Sequence, residues 1–247
     1  MMNVSICMAV YNGGKYIEGQ LISILNQLNE GDEIIVVNDF SKDNTISIIE
    51  SFKHPQIKIF HNEKNMGHVK SFEKAIELSK NELIFLSDQD DLWMPSKLKF
   101  FKNYFYRENV QLISSSFICF DNDYNINNDK KYKLYEHDST KYSKNILKIF
   151  KGNIPYFGCT MGFRREFLKI ILPFPNYIEA HDLWIGMAGN VIKSNLHLEE
   201  NSILHRIHDA NATPTQRPFI KKTKSRIVFI KSYFELKKRK KTFELKT

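Results

Sequence analysis

Four short apolar runs, Val4–Val10, Glu33–Val37, Ile57–Phe60 and Leu83–Leu86, are each separated from the next by a stretch with helical spacing. Ile17, Leu21, Ile24, Leu25 and Leu28 fall on one helical face. A second helix is expected from about Thr45 to Phe52, and a third from about Val69 to Ser79 with Val69, Phe72, Ala75 and Ile76 inward. Strands that are apolar on both faces need cover on both faces, and alternating helices supply it. The order βαβαβαβ therefore predicts an α/β fold: a Rossmann-like, mostly parallel sheet with right-handed crossovers and helices on both faces. In such sheets ligands sit beyond the carboxyl ends of the strands. Those ends carry Tyr11, Asp39 and the run Ser87-Asp88-Gln89-Asp90-Asp91.

Other architectures are excluded by what is missing. No apolar run approaches the roughly 20 residues that span a bilayer. Met1-Met2-Asn3-Val4-Ser5 has neither a basic stretch nor a small-residue cleavage site, so no secretory signal is expected. Cys7, Cys119 and Cys159 are odd in number and widely spaced, which excludes a disulfide scaffold and a multi-cysteine zinc site. These features together predict a cytoplasmic protein. The first βα turn has only Gly13-Gly14, without the spacing of a dinucleotide or phosphate loop. The second half is less regular, and residues 121–145, rich in Asn, Asp, Lys and Tyr, read as a loop or an insertion.

The formal net charge of +8 is concentrated in one place. Residues 217–241 hold 11 Lys/Arg and one acid, Glu235, which leaves residues 1–216 at −2. A nucleic-acid-binding body spreads its basic residues over the fold, so nucleic acid is not an expected partner. Ile227, Ile230 and Phe234 recur at i, i+3 and i+7 with Tyr233 beside them, which predicts a basic amphipathic C-terminal helix. Such a helix can lie on an anionic membrane surface, at the inner face of the cytoplasmic membrane, or pack its apolar stripe on the parent domain; one helix can do both.

Asp88, Asp90 and Asp91 directly follow an apolar strand. Once the chain leaves the strand, these carboxylates can converge on one cation. Hard oxygen ligands suit Mg²⁺ or Mn²⁺, which in turn bridges phosphate oxygens. The alternative is a polar turn that caps a helix starting near Pro95.

Ser5-Ile-Cys-Met-Ala-Val-Tyr-Asn-Gly-Gly14, Glu33-Ile-Ile-Val-Val-Asn-Asp39 with Ser41 and Asp43-Asn-Thr45, Asn65-Met-Gly67 and Ser87-Asp-Gln-Asp-Asp91 resemble the successive blocks of family 2 glycosyltransferases of the GT-A fold. The resemblance continues more weakly through Gly158-Cys-Thr-Met161, Phe163-Arg-Arg165, His181-Asp-Leu-Trp184 and His205-Arg-Ile-His208 with Asn211. The combination is most similar to bacterial enzymes of surface-polysaccharide synthesis, rhamnosyltransferases among them. The implied division is a nucleotide-sugar-binding half at 1–100, an acceptor-binding half of the same domain at 101–215, and a basic helical tail at 216–247.

The resemblance implies roles residue by residue. Ala9, Val10 and Tyr11 would line the base pocket, Asp39 would hydrogen-bond a pyrimidine edge, and Asp88 would lie near the ribose. Asp90 would ligate Mn²⁺ or Mg²⁺ between protein and diphosphate, with His208 a second metal or diphosphate contact and Arg206 paired with phosphate. Asp182 matches the position of the base that takes the acceptor proton, although His181 stands where many relatives have Glu. The implied activity is inverting, metal-dependent transfer of a hexosyl or rhamnosyl unit from a UDP- or dTDP-sugar, dTDP-rhamnose being one candidate, to a saccharide or lipid-linked saccharide. A nucleotidyltransferase on a similar fold and a non-catalytic scaffold are the alternatives. For single residues, too, simpler roles stay open: Asp182 as a helix N-cap, His205 and His208 as loop histidines, Trp93 and Trp184 as core residues or sugar platforms. Cys7 is expected in a buried strand, and Cys159 at the back of the site.

Overall fold

The computed structural model describes residues 2–208 and 219–244. Its first half follows the predicted alternation: β1 (Val4–Val10), α1 (Ile17–Leu25), β2 (Glu33–Asn38), α2 (Thr45–Ser51), β3 (Ile57–His61), α3 (His68–Leu78) and β4 (Leu83–Ser87). β5 (Leu92–Trp93), α4 (Lys97–Arg107), β6 (Leu112–Phe120), β7 (Ile126–Asn127) and α5 (Tyr142–Lys151) come next. The chain then forms β8 (Met161–Arg164), α6 (Leu168–Ile171), α7 (His181–Val191), β9 (Asn195–Arg206) and α8 (Phe219–Glu244). The segment read as an insertion holds little regular structure before α5 begins at Tyr142.

One sheet runs through the molecule in the order β3-β2-β1-β4-β8-β6-β9-β5. The four strands of the first half are parallel, β8 enters antiparallel between β4 and β6, and β9 pairs parallel to β6. The sheet thus crosses from residues 1–100 into 101–215 without a break in pairing. Its two faces carry separate cores. Val4, Ile6, Met8 and Val10 of β1 face a cluster completed by α1 and α4, while Cys7 faces one completed by α3 and α7. Period-two alternation of the strand produces this split.

The tail forms the expected helix and packs by a face other than its apolar stripe. α8 does pack on the body, but with Leu236 and Ser232 buried and Phe229, Tyr233 and Phe243 against the core. The stripe of Ile227, Ile230 and Phe234 faces outward. Arg239 fixes the helix by donating to the carbonyls of Ile170 (3.0 Å) and Pro173 (2.9 Å). No helix among the described residues is long and apolar enough to cross a membrane. Asn211 and the start of the tail through residue 218 lie outside the described residues.

Phe85 anchors the centre of the sheet. It is fully buried, edge-on to Phe101 at 5.3 Å and tilted against Trp93 at 6.2 Å. Phe85→Ala should cost about 3–5 kcal/mol in guanidinium unfolding, whereas Tyr106→Ala, at a side chain 85% exposed, should change stability by less than about 0.5 kcal/mol.

Candidate functional site

The loops leaving β1, β2 and β4 are bonded to one another. Gln89 clasps the backbone of Tyr11, accepting from its N–H at 2.9 Å and donating to its carbonyl at 3.1 Å. Asn12, with φ 47°, donates its N–H to Ser41 Oγ and accepts from Lys42 N–H. Gly13 and Gly14 donate to Thr45 and Asp43. These bonds leave the Tyr11 ring 47% exposed at the mouth, free to lie against a planar base. Ala9 is half-buried behind it. Val10 is 1% exposed, so its side chain belongs to the core and only its carbonyl, accepting from Asp39 N–H at 2.8 Å, serves this region.

Asp39 is buried at 3% exposure. Its Oδ1 accepts from Asn62 Nδ2 (2.9 Å) and Met66 N–H (2.7 Å), and its Oδ2 from Gly67 N–H (2.8 Å). The first duty of this carboxylate in the structure is therefore to shape the loop Asn65-Met66-Gly67. Lone-pair capacity remains, since an ionised carboxylate accepts about four hydrogen bonds.

The acidic run divides into three environments. Asp88 is steadied from behind by Gln20, a buried polar residue on the apolar face of α1 that donates to Ser87 Oγ (2.8 Å) and to the Asp88 carbonyl (2.9 Å). Burial, then the charges of Asp91 and Asp90, push the Asp88 carboxyl up to about 7. Asp90 faces His208, whose Nε2 lies 2.9 Å from its Oδ2 across 118 residues of sequence. The His208 ring stacks on Tyr16 at 4.9 Å. Asp91 points inward, 1% exposed, and its Oδ1 accepts from His205 Nδ1 (2.8 Å) and Arg206 N–H (3.1 Å). Burial alone would discharge both members of that pair. Their mutual attraction overrides it, holding Asp91 below the usual carboxylate range and raising His205 to about 9. The ion pair thus stands at neutral pH and is lost as the pH rises through about 9.

Arg206 occupies a different post from the one expected. It is 7% exposed, its Nε donates to the Asp90 carbonyl at 3.0 Å, and its guanidinium lies over Phe120 (4.3 Å) and Tyr16 (4.9 Å). Through Nε the side chain supports the acidic loop from below. Lys97 also went unnoticed in the sequence. It is fully buried, donates to the Cys159 carbonyl at 2.6 Å and lies over the Trp93 ring at 4.0 Å. Trp93 is thereby a core residue.

Asp182 sits half-buried in the first turn of α7. The N-cap position is Ala180; Asp182 lies in the first turn, where its Oδ1 accepts from Leu183 N–H at 2.7 Å. His181 is buried against Phe72 at 4.3 Å and against Gly158, where a Cβ would come within 2.7 Å of its Nε2. Gly158 thus meets the start of α7, while its neighbour Cys159 meets the acidic loop. Trp184 is 2% exposed and donates to the Ile171 carbonyl at 2.9 Å, which makes it core and not a sugar platform.

Two groupings could receive a cation. Asp91, Cys159 and His205 bring ligand atoms within 4.8 Å of one another. Burial and the charges of Asp91 and Asp88 raise the Cys159 thiol well above its ordinary range, so it keeps its proton, and Asp91 and His205 already bond each other. Asp90 and His208, with Asp88 beside them, fit a hard divalent ion better. Carboxylate and imidazole are the donors, and the crowding that keeps a proton on Asp88 is what a cation would relieve.

An exposed aromatic ring and a run of carboxylates gathered at the carboxyl ends of parallel strands are the arrangement of a GT-A glycosyltransferase. The Glycosyl transferase family 2 model matches residues 5–172, and the chain belongs to that family. An uncharacterized glycosyltransferase of Rickettsia typhi is 31% identical over 220 residues, covering 86% of this chain and 66% of that protein. The dTDP-rhamnosyl transferase RfbG of Shigella flexneri is 35% identical over 120 residues, 46% of this chain and 42% of that one. The chain thus spans about two thirds of the length of the first of these relatives. Among solved structures, residues 1–349 of S. aureus TarS in complex with UDP-GlcNAc superpose with a TM-score of 0.70 at 18% identity, covering 93% of this chain and 66% of that fragment. Glucosyl-3-phosphoglycerate synthase from Mycobacterium tuberculosis, in complex with Mn²⁺, UDP and its product, gives a TM-score of 0.59 at 15% identity, with 94% and 80% covered. These likenesses establish the GT-A fold.

The two inner acids should separate cleanly. Asp91→Ala removes the partner that keeps His205 charged, leaving a neutral imidazole and the Arg206 N–H without their acceptor, and should cost about 1–3 kcal/mol in chemical denaturation. Asp90→Ala relieves repulsion and should leave stability unchanged within about 1 kcal/mol. A cation held at Asp90 and His208 would compete with the proton on Asp88, so Mn²⁺ affinity by calorimetry should rise as the pH increases through about 7, by up to about tenfold per unit below that point.

Proposed function

We propose that this protein is an inverting glycosyltransferase that moves a sugar from a pyrimidine nucleotide-sugar to a saccharide or lipid-linked saccharide, in the synthesis of a bacterial surface polysaccharide. The observation that carries this reading is the Asp90–His208 contact at 2.9 Å. It closes the late segment of the chain over the β4 exit, where the diphosphate of a donor would lie. The Tyr11 ring would cover the pyrimidine, and Asp39, still with acceptor capacity beside the Gly67 amide, would read its edge. A dTDP- or UDP-linked donor fits, since both bases share that edge; the rhamnosyl name of the Shigella relative favours dTDP-rhamnose as the first to try.

Mn²⁺ or Mg²⁺ held by Asp90, with His208 and Asp88 at hand, would supply charge stabilisation for the departing diphosphate. The protein's own work is on the acceptor side. Asp182 takes the proton of the acceptor hydroxyl, the freed oxygen attacks the anomeric carbon from the face opposite the nucleotide, and the bond from that carbon to the diphosphate oxygen breaks with its electron pair. The stereochemistry inverts in that single displacement, with no covalent glycosyl-enzyme. Arg206 acts at one remove, holding the Asp90 carbonyl and so the position of the carboxylate.

Thermal shift with UDP-, dTDP- and GDP-sugars in the presence of Mn²⁺ should show one pyrimidine donor stabilising the fold by about 2.7 kcal/mol at a hundredfold excess over Kd, and chelator should abolish the shift. Asp182→Asn should keep that binding and lower donor turnover by about 10²–10⁴-fold; Asp90→Ala should lose the metal-dependent binding. Folded protein that neither binds nor turns over any of these donors would leave a scaffold as the better account.

A further inference from the structure

α8 has two unlike faces. The inner one is anchored: Leu236 is fully buried, Phe229 meets Phe150 at 5.2 Å, and the Arg239 guanidinium lies over Trp184 at 5.1 Å. The outer one carries Ile227 (52% exposed), Ile230 (49%) and Phe234 (66%), three large apolar side chains along two turns of helix. Exposed apolar residues scattered singly need no explanation, but a contiguous row rimmed by charge does. Lys231 flanks this row and Lys237, Lys238 and Lys241 continue it, all of them exposed, while Lys224 at its start is paired with Glu179. The acid Glu235 is turned away into a 2.9 Å pair with Arg239.

We infer that the outer face of α8 docks on the surface of a bilayer containing anionic lipid, with Ile227, Ile230 and Phe234 seated at the acyl boundary and the surrounding lysines on lipid phosphates. Charge decides the occupant. A second copy of the helix would bring the same lysines against each other, and the body outside the tail, at −2 over residues 1–216, offers little to attract them. An anionic lipid surface matches both the apolar row and its cationic rim. The packing of α8 also gives the contact a purpose. Lys224 pairs with Glu179 at 2.8 Å and Lys231 lies over Tyr177 at 6.0 Å, both just ahead of Asp182. α8 thus runs beside the segment that leads into the acceptor base, so a bilayer on its outer face would lie next to that segment, where a lipid-linked acceptor could be met. That purpose rests on the proposed function; the membrane contact itself does not.

The test is sedimentation of the full chain with phosphatidylcholine vesicles, with and without phosphatidylglycerol, in the absence of donor and acceptor. The full chain should pellet with the anionic vesicles, less so as salt rises, and stay in solution with phosphatidylcholine alone. The triple variant Ile227→Ser, Ile230→Ser, Phe234→Ser should bind the anionic vesicles at least about tenfold more weakly, with unchanged melting temperature. Lys231→Glu with Lys238→Glu should weaken it as well. No sedimentation with anionic vesicles, or sedimentation that the triple variant retains, would overturn the inference. So would a dimer, seen by light scattering, that the triple variant dissociates, since the face would then belong to a second copy. None of these readouts depends on glycosyl transfer, so this inference and the proposed activity fail separately.

Discussion

Asp91 is the last residue of the acidic loop, immediately before β5 begins, and its bond to His205 is what ties that loop to the far end of β9. A buried carboxylate and a buried imidazolium each pay heavily for leaving water, and each is tolerated because the other is there. The consequence is geometric. With His205 held, Arg206 falls where its main-chain N–H reaches Asp91 and its Nε reaches the Asp90 carbonyl, and two residues later His208 reaches the Asp90 side chain. One ion pair thus positions three successive contacts between segments that are far apart in the chain.

The rest of the site can be understood as the cost and support of gathering negative charge. Asp88, Asp90 and Asp91 repel one another, and burial together with that repulsion keeps a proton on Asp88 up to about 7. Beneath them lies Lys97, pushed down to about 7 by burial although Cys159, Asp91 and Asp88 draw it upward. Gln20 and Gln89 spend their amides on backbone and hydroxyl groups around the same loop. A core built for stability alone would not place three carboxylates over one buried lysine. Stability given up for a function that requires charge is a recurring trade.

Much of the fold was legible. The continuous apolar runs of β1, β2 and β4 and the helical stripes between them predicted the parallel sheet with little room for another answer, because residues buried on both faces cannot be hidden in any other short element. The carboxyl-end residues Tyr11, Asp39 and Asp88–Asp91 were legible for the same reason. Other positions were not. Val10 reads like a neighbour of Tyr11, but the strand period turns its side chain into the core. Arg206 reads as a free cation, yet Phe120 and Tyr16 enclose it. Gln20, a polar residue at an apolar helical position, was a visible signal that went unused.

The sequence by itself determined which segments are strands and helices and which strand ends carry acid, since these depend on local periodicity and on the hydrophobic effect. Only the tertiary structure decided which acid faces inward, that His208 rather than His205 meets Asp90, and that Trp184 belongs to the core. It also decided that α8 buries Leu236 and leaves Ile227, Ile230 and Phe234 in the open. A helix with apolar residues on two sides has no internal reason to prefer either. The choice is made by the surface it meets, here Trp184 and the carbonyls of Ile170 and Pro173, which take Arg239 and so set its rotation.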